Sequence, residues 1–227
     1  MFLAGKLHKQ MEKQLPPQNF LGVEVPYTEL SKQLNTLLKP FGIKARVAKD
    51  DKLNKEKSTP FVFSGYFETQ KKRMPIVITL HVPSKKEAIK FNKVRYNYLM
   101  FTLSQIVQHE YIHKSQFTYR PEESEKRVNV MWDKKLPKEK VDKINYLREW
   151  CEIEAYAHDI AMEIKSNYPN KTPESVLKQI DKHPKLWSYV FYKKPFKGVK
   201  WDKVKKSLLK KIWRWLPVAH IPRKYNG

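Results

Sequence analysis

The chain has 227 residues, of which 41% are hydrophobic and 13% aromatic, enough to build a core and to exclude wholesale disorder. No apolar run approaches the ~18 residues of a membrane-spanning helix. Lys6 interrupts the opening segment before a leader-like apolar stretch develops, and the single cysteine, Cys151, excludes an internal disulfide or a cysteine-based zinc finger. The charge is the outlier: 46 Lys and Arg against 23 Asp and Glu give +23, which favours polyanionic surroundings.

Residues 1–26, interrupted by Pro16, Pro17 and Pro26, are expected to form an arm or a short first helix. Tyr27, Leu30, Leu34, Leu37, Leu38 and Phe41 fall at helical spacing, and Pro40 with Gly42 closes that element. The period then changes to two. Ile43, Ala45 and Val47 alternate with Lys44 and Arg46; Phe61, Phe63 and Phe67 repeat the pattern after the loop DDKLNKEKST; Ile76, Ile78, Leu80 and Val82 follow the turn QKKR. Three strands joined by loops predict a small, mainly antiparallel sheet. Ser84-Lys85-Lys86-Glu87 has the form of a capping box and predicts helix from there to about Phe117, with Asn92 as a candidate break. A polar loop with Pro121 and Pro137 leads to a second helical stretch that ends near Ser166, with a candidate split near Tyr146. Thr172-Pro173 opens a shorter helix, and Trp201, Val204, Leu208, Ile212 and Trp215 share one face of a last one. Neither a glycine-rich phosphate loop nor an internal repeat occurs. This order predicts an α+β fold with segregated layers, a small three-stranded sheet packed on helices and a C-terminal helical extension.

The chemistry is concentrated in His109-Glu110-Tyr111-Ile112-His113, an HExxH pattern. Residues four apart lie on one helix face, so both imidazoles can converge on one Zn²⁺. Glu110 follows the first histidine and would point beside the metal, where it could take a proton from an activated water. Ile106, Val107 and Ile112 imply a buried helix, in which three polar residues need a partner. A catalytic zinc site takes a third protein ligand and keeps a position open. Its candidates lie in Cys151-Glu152-Ile153-Glu154-Ala155-Tyr156-Ala157-His158-Asp159.

With these motifs the sequence resembles the gluzincins, zinc peptidases with HExxH on one helix and a glutamate ligand on a later one, commonly within E-x-x-A or E-x-x-S. Both Glu152-x-x-Ala155 and Glu154-x-x-Ala157 match that pattern. The register of Glu152 is preferred because Tyr156 and Asp159 then share its face, and Glu154 remains the alternative. The chain is also similar, more distantly, to HExxH proteins of tailed phages that share an HEYIH-type motif and a later EIxAxA segment. The resemblance spans roughly residues 27–165. It implies a metallopeptidase with one Zn²⁺ per chain, Glu110 as general base, and His109, His113 and Glu152 as ligands. It also implies a sheet edge that pairs with extended substrate, for which Ile76, Val77, Ile78, Thr79 and Leu80 are the candidate rim. The chain departs from the family at Tyr156, where the thermolysin-type continuation has an acid. No residue matches the family's oxyanion-stabilising group securely; Tyr119, Tyr156 and His158 are candidates, with Asp159 a candidate for orienting a ligand. The domains expected on this basis are an arm over 1–26, a zincin-like catalytic domain over 27–168 and a basic, aromatic-rich helical extension over 169–227.

Residues 193–227 hold twelve Lys and Arg against the single acid Asp202, preceded by Trp187, Tyr189, Phe191 and Tyr192. Such a surface suits a non-specific contact with nucleic acid or an anionic membrane, and equally a last helix docked by its apolar face with lysines turned outward. His8, His81, His183 and His220 stand outside any motif. Three functions compete: a zinc peptidase acting on peptide or protein, a virion- or nucleic-acid-associated protein with a structural or idle zinc site, and another zinc hydrolase with the same ligands. The location expected is cytoplasmic or virion-associated.

Overall fold

A computed structural model describes residues 2–55, 61–67, 75–119, 137–199 and 201–226. It is α+β: among the described residues there are eight α-helices, a three-stranded sheet and a two-stranded one. The expected turn QKKR and the loop containing Pro121 lie outside the described residues. The chain divides into two compact units, residues 1–114 with 222–227, and residues 115–221. No helix among the described residues is long and apolar enough to cross a membrane.

In the first unit, α1 (Phe2–Gln14) is the helix of the two alternatives expected at the start of the chain, and Leu7 and Met11 on it are fully buried. A short strand β1 (Glu24–Pro26) and helix α2 (Tyr27–Leu38) follow. The main sheet comprises β2 (Ile43–Asp50), β3 (Val62–Phe67) and β4 (Ile76–Pro83). Its order is β2-β4-β3, with β2 parallel and β3 antiparallel to β4, so the sheet is mixed and not mainly antiparallel. The reason lies in β4, where Ile76 to Leu80 are all buried while β2 and β3 alternate. A strand covered on both faces belongs in the middle of its sheet. Ile76, Val77, Ile78, Thr79 and Leu80 are therefore hydrogen-bonded to a strand on either side and cannot be the rim for a substrate.

The helix expected from Ser84 begins later. Ala88–Lys90 form β5, which pairs antiparallel with β1 and buries Ile89 beside Val25. Helix α3 (Lys93–Tyr119) then starts behind Asn92, whose Oδ1 accepts from the Arg95 N–H at 2.9 Å. Asn92 is thus a cap and not a break. Tyr96, Leu99, Met100, Leu103 and Val107 of α3 join Leu30, Leu34 and Leu37 of α2 and the inner row Ile76, Ile78 and Leu80 in one core.

The second unit is helical: α4 (Lys138–Arg148), α5 (Trp150–Asn167), α6 (Pro173–Lys178), α7 (Trp187–Lys193) and α8 (Asp202–Trp215). The break before α5 falls at Glu149, whose extended ψ of 137° ends one helix and caps the next. α8 packs on α5 through Val204, Leu208 and Ile212, while the Tyr192 hydroxyl donates to the Leu147 carbonyl. Glu163 is 1% exposed and caps α7, accepting from the Ser188 N–H at 3.0 and 3.1 Å and from the Ser188 hydroxyl at 2.7 Å. Asp181 accepts from Lys193, Lys205 and Tyr189. Burial pushes its carboxyl up, but these three hydrogen bonds outweigh that and hold it below the usual carboxylate range.

Glu163→Ala should lower stability by about 1–3 kcal/mol, the cost of losing a charged cap and leaving buried donors at Ser188, read from urea or thermal unfolding. Because the Asp181 pKa is depressed on folding, its stabilising contribution is present above the ordinary carboxylate value and is lost as pH falls through the folded one. The stability difference between wild type and Asp181→Asn should therefore be constant from about pH 7 to 5 and shrink below about pH 4. A difference that grew on acidification would contradict the ion-pair assignment.

Candidate metal centre

The C-terminal half of α3 carries an unusual run of buried polar groups: Ser104, Gln108, His109, Glu110, His113 and Gln116. The half before it is anchored by apolar side chains, so the polar run is presented on a helix that cannot turn. The Tyr111 hydroxyl adds a fixed point by donating to the Phe41 carbonyl at 3.0 Å. One helical turn apart, the imidazoles of His109 and His113 converge, with their Nε2 atoms at 3.1 Å and their rings edge to face. Ser104 Oγ lies 2.6 Å from His8 Nε2 and accepts from Gln108 Nε2 at 2.9 Å, tying the same helix to α1.

His109, His113 and Glu152 are all buried and form a group that could hold a metal ion. Two imidazole nitrogens and one carboxylate oxygen are a suitable set for a divalent one. Glu154, the alternative ligand, is engaged elsewhere. It forms an ion pair with Lys211 and accepts from the Trp215 indole N–H at 2.7 Å. Glu152 and Glu154 are two positions apart on α5 and so face different ways, and Lys211 and Trp215 on α8 claim the second.

Glu110 is 5% exposed, and its side chain lies over β3 at Gly65. A Cβ at position 65 would stand 2.7 Å from Glu110 Cγ and 2.8 Å from Oε1, closer than two such atoms come. Gly65 therefore opens the space the carboxylate fills. No motif in the sequence marks this residue. Its signal was a glycine in the inward row of an otherwise aromatic strand, Phe63, Gly65 and Phe67, the mark of a close approach.

The other candidates are dispersed. Tyr119 ends α3 at 80% exposure. Tyr156 stacks on Phe191 at 6.0 Å and meets Tyr192 edge-on at 5.2 Å. His158 is buried edge-on against Trp215 at 4.9 Å, with Nδ1 3.7 Å from an Asp159 carboxylate oxygen. Tyr192 is fully buried, and burial together with the Glu152 charge pushes its phenol pKa well up, so it stays protonated. Cys151 is likewise pushed up to about 12 by burial first and then by Glu152 and Glu149, which leaves a neutral thiol at pH 7. His81 bonds Ser64 at 2.8 Å on the outer face of the sheet, and His183 packs on Tyr168.

Purified protein should take up one divalent ion per chain. His113→Ala or Glu152→Gln should weaken uptake by more than about tenfold, whereas Glu154→Gln should leave it intact, as read by metal analysis after dialysis. Equal loss in both glutamate variants would show that the ligand is not Glu152 alone. Compared with known proteins, the chain matches no family model, no curated protein and no solved structure.

Proposed function

We propose that the chain is a zinc-dependent metallopeptidase of gluzincin-like type, acting on peptide or protein with Glu110 as general base. The observation that carries this reading is the placement of Glu110, a buried carboxylate next in sequence to His109 and fitted into space left by Gly65. A site that served only to hold a metal would have no use for it. His109, His113 and Glu152 suit zinc, since two imidazoles and one carboxylate form a three-ligand set that leaves a position for solvent or substrate. Zinc bound there supplies Lewis-acid polarisation of a carbonyl and brings the pKa of water to about 7.

Glu110 then does the proton work. It accepts a proton from the water as the oxygen attacks the scissile carbon, and returns it to the departing amine nitrogen. The contact with Gly65 fixes the carboxylate, so little reorganisation accompanies the transfer. Extended substrate is bound by strand addition at β3. That edge pairs with no further strand among the described residues, and it carries Gly65 beneath Glu110. The opposite edge is blocked: Asn35 Nδ2 donates to the Ala45 carbonyl at 2.8 Å, and the Ala45 N–H donates to Asn35 Oδ1 at 3.0 Å.

With a mixture of unfolded proteins as substrate, wild type should cleave, chelation should abolish cleavage and added Zn²⁺ should restore it. Glu110→Gln should retain metal and fold yet lose about 10²–10⁴-fold in rate, the usual worth of general acid–base catalysis. Gly65→Ala, which pushes the carboxylate aside, should also keep the metal and lose rate. Undiminished cleavage in Glu110→Gln would remove it as the base, and no cleavage by metal-loaded wild type would favour a virion- or nucleic-acid-associated binding protein.

A further inference from the structure

The six cations of α8 are divided between two tasks. Lys205 pairs with Asp181 at 2.6 Å and Lys211 pairs with Glu154, so these two hold the helix to its neighbours. The other four, Lys203, Lys206, Lys210 and Arg214, are exposed and have no acidic partner among the described residues. At 100° per residue they fall, with Trp213, within an arc of about 100° on the side opposite Val204, Leu208 and Ile212. From Lys203 to Arg214 this row of charge runs about 16 Å along the helix. Trp213 stands among the cations with 49% of its surface exposed.

Like charges three and four residues apart repel. The one exposed acid of α8, Asp202 four residues before Lys206, offsets this only in the first turn, so the rest of the row destabilises the isolated helix unless an anion lies along it. An extended polyanion with repeating charges is complementary to it. Two kinds of anionic surface could meet that need, and the helix distinguishes them. Binding in the plane of a membrane requires the apolar face of the helix to be free to enter the bilayer. In α8 that face is spent on the protein core, with Val204 at 7% exposure and Leu208 and Ile212 at 0%. What remains outside is charge and one indole, the combination that binds single-stranded nucleic acid through phosphates and base stacking.

We propose that the exposed ridge of α8, Lys203, Lys206, Lys210 and Arg214 with Trp213, binds single-stranded nucleic acid without sequence preference. The four cations contact successive phosphates and Trp213 stacks on an unpaired base. This role is separate from the metal centre and does not depend on any peptidase activity.

The test uses the full chain and a labelled single-stranded DNA of 20 nucleotides, titrated at several salt concentrations. Replacing all four cations by Gln should weaken binding more than about tenfold near 0.1 M salt and make the log–log salt slope shallower by about 3, from 0.7 per lost phosphate contact. Trp213→Ala should weaken binding about fivefold or more while leaving that slope unchanged. The comparison variant replaces the exposed Lys9, Lys13, Lys32 and Lys39 by Gln, which removes the same charge from the other unit. It should bind DNA nearly as wild type does. Circular dichroism and the melting temperature check that α8 persists, and the milder Lys206→Gln/Lys210→Gln pair should lose about half the slope change. Unchanged affinity and slope in the four-cation variant would overturn the proposal, as would an equal loss in the comparison variant. Ridge-dependent binding to phosphatidylserine vesicles without binding to DNA would overturn it in favour of a membrane surface.

Discussion

A carboxylate pressed against bare backbone constrains the site more than any other contact. Glu110 occupies the volume that a side chain at position 65 would need, and the two can coexist only because Gly65 has none. Burying a carboxylate is expensive, so a fold that holds one at 5% exposure against a strand must define that strand's position closely. Register follows from this. Gly65 pairs with Ile78 and falls in the inward row with Phe63 and Phe67, so a slip of one residue would send Tyr66 or Ser64 into the space of the carboxylate.

The same helix that carries Glu110 supplies both histidines, and its two halves have different work. Leu99, Leu103 and Val107 fix α3 in the core, and Asn92 fixes where it starts. The last turns then present polar groups whose directions are set by helix geometry alone. Two imidazoles four residues apart meet at 3.1 Å without help from a loop, which makes the pair rigid. A metal ion entering such a site would find two of its ligands already in place.

In the helical unit, one helix distributes its acids among separate partners. Along α5, Glu152 is buried and belongs to the group that could hold a metal ion, Glu154 ties down Lys211 and Trp215, Asp159 lies beside His158, and Glu163 caps α7. A carboxylate bonded to a lysine and an indole is no longer a free donor to a metal. The cations of α8 divide in the same way, two into ion pairs and four to solvent. Composition counts all of these charges alike, and only the packing of α8 on α5 separates those that hold the structure from those that remain for a partner.

The sequence by itself determined whatever depends on neighbours within a turn or along a strand. The convergence of His109 and His113 needs only helical spacing, and the apolar face of the last helix needs only its period. The α+β class followed from the change of period between residues 43 and 82. Contacts distant in the chain decided the rest. Ala88–Lys90 became a strand because Glu24–Pro26 lies alongside, which delayed the helix to Lys93. The burial of five consecutive residues of β4, Ile76 to Leu80, drew it to the centre of the sheet, and β2 paired with it in parallel, although a run of three loop-joined strands pointed to antiparallel neighbours. Between Glu152 and Glu154 the sequence favoured the first only through the face that Tyr156 and Asp159 share with it. Both fit the local pattern, and what the structure adds is that Glu154 is bonded to Lys211 and Trp215, nearly sixty residues further on. Local spacing fixes the direction of a side chain, whereas its partner depends on which distant segments can be packed together without leaving buried polar groups unpaired.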